Sequence, residues 1–152
     1  MKAYLEENGV KSAVINLGGN VLCVGKRPDG APFKIGLQRP YATHTETVAA
    51  LKIDDMSVVS SGVYERHFVE NGVNYHHILD PATGYPYENG LTQVSIIPPV
   101  SGRGRTEHTC FALGLEEGTR LIESMDQIYG ISLRKTGGTP LHQGEPRDFL
   151  DR

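Results

Sequence analysis

The sequence predicts an α+β fold, a mostly antiparallel sheet accompanied by few helices. Short apolar runs separated by Gly, Pro and Asn turn residues predict strands, and Asn71-Gly72 inside residues 64–79 is a hairpin turn signal. A single longer run, residues 109–125, spaces its apolar side chains as a helix does. The length of 152 residues, with 38% hydrophobic and 22% charged residues, fits one globular domain.

Seven short apolar runs are predicted as strands in addition to the hairpin. They are residues 12–16, 21–25, 33–37, 47–53, 57–61, 91–97 and 131–135. The pair Gly18-Gly19 predicts a tight turn between the first two, because glycine accepts positive φ at no steric cost. Residues 1–8 predict a short helix capped by Gly9, and the helix at 109–125 is expected to break at Gly118.

Charge and hydropathy exclude two classes of partner. The net charge is −3 and the Lys and Arg residues are scattered, so no basic stripe for nucleic acid is present. We find no apolar run of bilayer length and no export signal, which predicts no membrane contact by the chain itself. Cys23 and Cys110 lie in apolar runs and are expected to be buried free thiols.

Two polar segments are candidates for binding an anion or a ring. Asn16, Gly18 and Gly19 form a turn whose backbone N–H groups can point at an anion, although a plain hairpin turn is the commoner meaning of Gly-Gly. Ser61, Gly62 and Tyr64 end a strand with a hydroxyl and an aromatic ring, which can hold a phosphate and stack a ring. The alternative for this second segment is an ordinary solvated strand end.

A third segment, YHHILDPATG at 75–84, carries two adjacent histidines before a turn. Adjacent strand residues face opposite sides, so at most one of His76 and His77 can serve a given pocket. An imidazole titrates near neutrality and can take a proton from a hydroxyl, whereas a lone histidine is more often structural. Asp80 is close enough in sequence to orient a ring or to shape the loop.

Together these segments resemble the ApbE family. The resemblance runs through NLGGN, SSGVYER, YHHILDPATGYP and CFALGLEEG with their spacing intact, from about residue 2 to residue 138. It implies that residues 1–138 are the C-terminal part of an ApbE-like, T-fold-related flavin transferase domain and that residues 139–152 are a polar tail. Because family members are about twice as long, the resemblance implies that N-terminal elements gripping adenosine and a lipid-anchoring signal are missing.

The resemblance implies Mg²⁺-dependent transfer of FMN from FAD to a threonine of an acceptor flavoprotein, with release of AMP. The implied acceptors are flavoprotein subunits of the redox-pump or flavin reductase type. Full-length members are typically anchored on the periplasmic or outer face of bacteria. Two alternatives remain open, an FAD pyrophosphatase and a flavin-nucleotide binding module without turnover; a folding fragment with no function of its own is a third.

Family roles transfer to this chain residue by residue. His77 matches the histidine before Ile-Leu-Asp-Pro and is the candidate catalytic base. The matching cofactor-binding residues are Asn16, Gly18, Gly19, Ser61, Gly62, Tyr64, Asp80, Thr83 and Gly84.

The segment SGRGRTEHTCFALG at 101–114 departs from the family pattern, which has a metal-binding Asp and Thr before the helix. Aligned without a gap, these two ligands fall on Gly104 and His108, so the metal ligands in this chain are unknown. One hypothesis is a one-base insertion before Arg103 with a one-base loss after His108, since suitable codons then restore the family motif. The coding DNA tests that hypothesis.

Overall fold

A computed structural model describes residues 1–43, 45–99 and 106–135, together with the backbone of residues 141–143. Its elements in chain order are α1 (Lys2–Glu7), β1 (Ser12–Leu17), β2 (Asn20–Gly25), β3 (Phe33–Gln38), β4 (Thr47–Ile53), β5 (Ser57–Gly62), β6 (His67–Glu70), β7 (Val73–His76), β8 (Leu91–Ile97), α2 (Thr106–Glu123), β9 (Tyr129–Arg134) and β10 (Leu141–Gln143). All seven predicted strand runs and the predicted hairpin form strands.

The main sheet has six strands in the order β1-β2-β5-β8-β9-β10, and every neighbouring pair is antiparallel. The hairpins β3–β4 and β6–β7 form two further two-stranded sheets. Mostly antiparallel strands with two helices confirm the α+β prediction. Strand β10 lies inside the predicted tail, 139–152, so three residues of that segment extend the sheet, and the rest of it lies outside the described residues.

The core lies on both faces of the main sheet. All seven residues of β8 are buried, because this central strand is covered on each side. Val94 and Ile96 pack in one cluster with Cys110 and Phe111 of α2. On the opposite face Ile97 packs in a second cluster with side chains of the β3–β4 hairpin. The alternation of side chains along β5 and β8 therefore decides which layer each residue meets.

Two hairpin turns have the backbone that their sequences predict. Gly18 and Gly19 have φ of 62° and 88°, and Asn71 and Gly72 have φ of 50° and 79°. Positive φ at both central residues defines a type I′ turn, whose twist matches that of the flanking strands. The first turn sets the register that pairs Leu17 with Asn20.

Helix α2 breaks at Gly114, where φ is 76° and ψ is −174°, so the predicted break at Gly118 is wrong. Glycine takes this backbone because it has no Cβ. The Asn89 amide donates a hydrogen bond to the Phe111 carbonyl next to the break. Gly118 serves a different purpose, since a Cβ there would lie 2.7 Å from the carbonyl oxygen of Cys110.

Smaller features complete the fold. Gly9 ends α1 with φ of 81°, and Val10 N–H bonds to Leu5 O, which confirms the predicted cap. Cys23 and Cys110 are free and buried, as expected. Within the described residues, no helix is both long enough and apolar enough to cross a membrane.

Candidate functional site

The candidate site is built around the end of strand β5, where Ser60 and Ser61 face opposite sides of the sheet. Ser60 Oγ lies 2.7 Å from Ser95 Oγ on the side of the β3–β4 hairpin. Ser61 Oγ lies 3.3 Å from Nδ1 of His108, in the first turn of α2. The sequence predicts Ser61 and Tyr64 as one group at the strand end. In the structure Ser61 faces α2, whereas Tyr64 lies on the side of the β3–β4 hairpin.

On the β3–β4 side, a cavity of about 450 Å³ opens between the β1–β2 turn and the end of β5. Its lining includes Asn16, Gly18, Gly19, Ser60, Tyr64 and Gln93. Within the turn, Asn16 Oδ1 accepts a 3.1 Å hydrogen bond from the Gly19 N–H. The Asn16 side chain therefore holds the turn that the sequence predicts as an anion site.

A network of hydrogen-bonded side chains lies at the wall of this cavity. Tyr64 OH donates to Gln93 Oε1 over 2.7 Å, and Gln93 Nε2 donates to Ser95 Oγ over 2.9 Å. Burial, and then the charge of Glu65, raise the pKa of Tyr64 to about 12, so the phenol stays neutral and keeps its proton. Sequence reasoning missed Gln93 and Ser95, although polar residues alternating within the apolar run LTQVSII were a usable signal.

Gly62 is required by the position of the Tyr64 ring. A Cβ at residue 62 would lie 2.5 Å from Cε1 of Tyr64. The ring folds back over the strand end into the space that a side chain at residue 62 would fill. Gly62 therefore makes room for the aromatic ring, and its cofactor-binding role stays a prediction.

The two adjacent histidines have separate environments. His76 is 7% exposed, its Nε2 lies 3.2 Å from the Tyr87 carbonyl, and its Nδ1 accepts from the Ile78 N–H over 3.3 Å. His77 is exposed and lies near His108, with ring centroids 6.0 Å apart. The His76 ring is therefore held by two backbone groups, and His77 is the more exposed of the two.

Partial desolvation lowers the pKa of His77 and the backbone of Arg66 opposes that shift, while the charges of His108 and Arg66 lower the pKa further and that of Glu65 raises it. A histidine with a lowered pKa is neutral at pH 7 and can accept a proton. A groove of about 470 Å³ runs along His77, Pro81, His108 and Thr109. The groove gives a substrate access to both imidazoles.

The loop after His77 is stabilised by its own side chains. Asp80 Oδ1 accepts a 2.9 Å hydrogen bond from the Ala82 N–H, and Thr83 Oγ1 accepts one of 3.3 Å from the Tyr85 N–H. Gly84 has φ of 75° and donates its N–H to the Asp80 carbonyl over 2.7 Å. Of the two roles considered for Asp80, the structure favours shaping the loop.

The described residues near His77 do not fit Mg²⁺. This ion prefers oxygen ligands, and the side chains here are two imidazoles, the Ser61 hydroxyl and the Glu107 carboxylate, which already contacts His108. Within residues 1–43, 45–99 and 106–135 we find no group of three or more His, Cys, Asp or Glu side chains able to hold a metal ion. Gly104, the other expected ligand position, lies outside the described residues.

Sequence reasoning also missed Glu107 as a member of this cluster. Glu107 is 5% exposed, and its Oε1 lies 3.0 Å from His108 Nδ1. A buried charged side chain needs a partner, and His108 supplies it. Only the helix phase of α2 reveals that residue 107 points inward.

Comparisons with known proteins give consistent results. A sequence model described as the ApbE family matches residues 1–131. An FAD:protein FMN transferase of Klebsiella pneumoniae is 39% identical over 136 residues, which cover 89% of this chain and 41% of that protein. One from Treponema pallidum is 35% identical over 133 residues, covering 82% of this chain and 37% of the relative.

Solved structures show the same relationship. The ApbE protein of Thermotoga maritima aligns with a TM-score of 0.78 at 26% identity, over 93% of this chain and 45% of that one. The flavinyl transferase ApbE of Pseudomonas stutzeri aligns with a TM-score of 0.70 at 29% identity, over 92% and 43%. This chain thus spans less than half the length of these relatives. By the match over most of its residues, the chain belongs to the ApbE family.

Proposed function

We propose that this chain forms the flavin-nucleotide and base-bearing part of an FAD:protein FMN transferase. One observation carries the proposal: the end of β5 adjoins both the Gly18-Gly19 turn and the histidine groove. A Cβ at Gly19 would lie 4.0 Å from the Ser60 carbonyl oxygen, and the next residue, Ser61, contacts His108. An anion-binding turn and a proton acceptor therefore flank one strand end.

In this proposal the FMN part of FAD occupies the cavity on the β3–β4 side. Gly18 and Gly19 carry no side chains, so a diphosphate can approach the backbone of the turn closely. The neutral Tyr64 ring, fixed by Gln93, offers an aromatic surface to the flavin. The roles of Asp80, Thr83 and Gly84 are to keep the loop beside His77 in shape for the substrate.

His77 is the proposed general base. It removes the proton from the acceptor threonine hydroxyl, whose oxygen attacks the FMN-side phosphorus of FAD. The new bond joins that oxygen to phosphorus, the bond to the bridging diphosphate oxygen breaks, and AMP leaves with the electron pair. The neutral state of His77 at pH 7, which burial favours, suits this step.

The finer parts of the proposal come from the family resemblance. The acceptor is a flavoprotein subunit of the redox-pump or flavin reductase type that carries a target threonine. The full reaction uses Mg²⁺, for which the described residues provide no oxygen-rich site. The proposed location is that of anchored family members, the periplasmic or outer face of bacteria.

The test incubates the chain with FAD, Mg²⁺ and an acceptor protein bearing the target threonine. AMP release together with flavin fluorescence on the acceptor band supports FMN transfer, and both signals should be lost in His77→Gln but kept in His67→Gln. AMP and free FMN without a labelled acceptor would assign the chain as an FAD pyrophosphatase. If neither AMP nor free FMN appears, catalysis by this chain is rejected.

A second candidate is a binding module that holds a flavin nucleotide without turnover, favoured by the poor fit of the described residues to Mg²⁺. Quenching of FAD fluorescence by the chain, with no AMP, supports it. The paired variant Gly104→Asp/His108→Thr restores the family's oxygen ligands. If this variant gains Mg²⁺-dependent AMP release in the presence of the N-terminal half of a relative, the transferase assignment holds for the scaffold.

A further inference from the structure

We propose that His77 and His108 form a two-histidine site for a late first-row divalent metal ion, namely Cu²⁺, Ni²⁺ or Zn²⁺. Imidazole nitrogen is a preferred ligand of these ions, whereas Mg²⁺ prefers oxygen. The protein supplies two ligands, and water completes the coordination. Binding of such an ion does not require FMN transfer to be correct, although an ion held there would occupy His77, the proposed base.

The separation of the two rings suits a shared ion. Metal–nitrogen bonds to histidine are about 2.0–2.1 Å, which places an ion about 3.2 Å from each ring centroid. Two imidazoles on one ion then lie about 5–6 Å apart, centroid to centroid, at coordination angles from tetrahedral upward. The observed separation is 6.0 Å with the rings inclined by 75°, which lies within this range.

The His108 ring has one nitrogen already engaged. Glu107 Oε1 lies 3.0 Å from His108 Nδ1, which fits the tautomer in which Nδ1–H donates to the carboxylate oxygen; Ser61 Oγ lies 3.3 Å from Nδ1 and 3.5 Å from Nε2. That tautomer leaves the lone pair on Nε2. The Arg66 carbonyl accepts a 3.2 Å hydrogen bond from the His77 backbone N–H, which holds the backbone that carries the His77 ring. Carboxylate or carbonyl partners behind metal-bound histidines are the usual arrangement in metalloproteins.

Access favours an ion here, while the nearby charges, which include the Arg66 guanidinium beside His77, oppose one another. His108 stands in the first turn of α2, where the partial positive charge of the helix N-terminus disfavours a cation. The buried Glu107 carboxylate, which is 5% exposed, offsets that charge. The His108 side chain is 46% exposed and faces the groove of about 470 Å³, so an ion and its waters can enter.

Calorimetric titration of the whole chain with CuCl₂, NiCl₂, ZnCl₂ and MgCl₂, without flavin, tests the site. We expect one ion per chain, Cu²⁺ bound more tightly than Ni²⁺ or Zn²⁺, and Mg²⁺ weakest. His77→Gln and His108→Thr should each weaken binding by more than about 100-fold while leaving one imidazole ligand, and Glu107→Gln should weaken it by about 10–100-fold. His67→Gln, which alters an exposed histidine outside the pair, should bind as the unchanged chain does.

Electron paramagnetic resonance of the Cu²⁺-loaded chain counts the nitrogen ligands. Splitting from two imidazoles that falls to one in either variant supports the site, and circular dichroism confirms that both variants fold. Equal affinity in His77→Gln, His108→Thr and the unchanged chain would overturn it, as would loss of binding in His67→Gln alone. Because no flavin is present, either result is separate from the outcome of the FMN transfer assay.

Discussion

The hydroxyl of Tyr64 donates a 2.7 Å hydrogen bond to Oε1 of Gln93, a side chain that is 1% exposed. Gln93 in turn donates to Ser95, which lies 2.7 Å from Ser60. The orientation of the aromatic ring in the cavity therefore depends on polar groups inside the central strand β8. A substitution in this hydrogen-bonded network should affect the stability of the protein as well as the cavity.

Tyr64→Phe should lower the free energy of unfolding by about 1–3 kcal/mol, because Gln93 Oε1 loses its donor in a buried place. Urea unfolding measures the change. Tyr85→Phe, at a residue that is 65% exposed, is the matched control and should have little effect. In the double variant Tyr64→Phe/Gln93→Met the loss should be smaller than the sum of the single losses; strict additivity would contradict the coupling.

Gly62→Ala should displace the Tyr64 ring, since the new Cβ would lie 2.5 Å from a ring carbon. We expect a loss of about 1–3 kcal/mol in urea unfolding and shifted Tyr64 ring signals in NMR spectra. In a Tyr64→Ala background the same substitution should cost much less, because the obstructing ring is gone. An equal cost in both backgrounds would show that the ring is not the reason for the glycine.

Gly118→Ala should destabilise the chain although alanine favours helix. The gain in helix propensity is about 1 kcal/mol, but the Cβ would lie 2.7 Å from the Cys110 carbonyl, which is backbone and cannot turn away. We expect a lower melting temperature by calorimetry. Glu116→Ala, on the exposed side of the same helix, is the control, and a stabilised Gly118→Ala would disprove the close approach.

Stability should decrease as the pH falls below about 6.5, the ordinary pKa of histidine. Burial lowers the pKa of His76, and the hydrogen bond to the Tyr87 carbonyl opposes that shift. The charges of His77 and His67 lower the pKa further, whereas the charge of Glu88 raises it. The unfolded chain then binds the proton first, so His76 contributes stability above that pH and loses it as the pH falls through the folded pKa.

Urea unfolding between pH 5 and 8 measures this dependence, with a slope of at most about 1.4 kcal/mol per pH unit from one group. His76→Asn keeps an acceptor near the Ile78 N–H and should flatten the curve. His67→Gln should leave the slope largely unchanged. A curve of unchanged slope in His76→Asn would assign the pH dependence to other groups.

The thiols of Cys23 and Cys110 should not react with a disulfide reagent in the folded chain at pH 8. Burial raises the pKa of both to about 11, and Cys110 is also affected by the charge of Glu107. A thiol reacts as its thiolate, which is scarce here, and neither sulfur is accessible. Both should react in guanidinium chloride; rapid labelling of the native chain would contradict their burial.

Local chemistry made much of the fold predictable. Seven strands, the Asn71-Gly72 hairpin and the Gly9 cap follow from apolar runs and from residues that accept positive φ, which are local properties. The break of α2 was placed at the wrong glycine. Gly114 and Gly118 look alike in sequence, and only packing against Cys110 and Asn89 gives them different roles.

The sequence by itself determined the family motif, the candidate base His77 and the rule that His76 and His77 face opposite sides. Which histidine is buried was decided only by the tertiary structure, since His76 meets Tyr87 and Phe111 from distant parts of the chain. The same holds for Gln93 beside Tyr64 and for His108 beside His77. These pairs join residues 29 to 31 positions apart, and contacts over such distances are set by sheet register and helix packing rather than by local sequence.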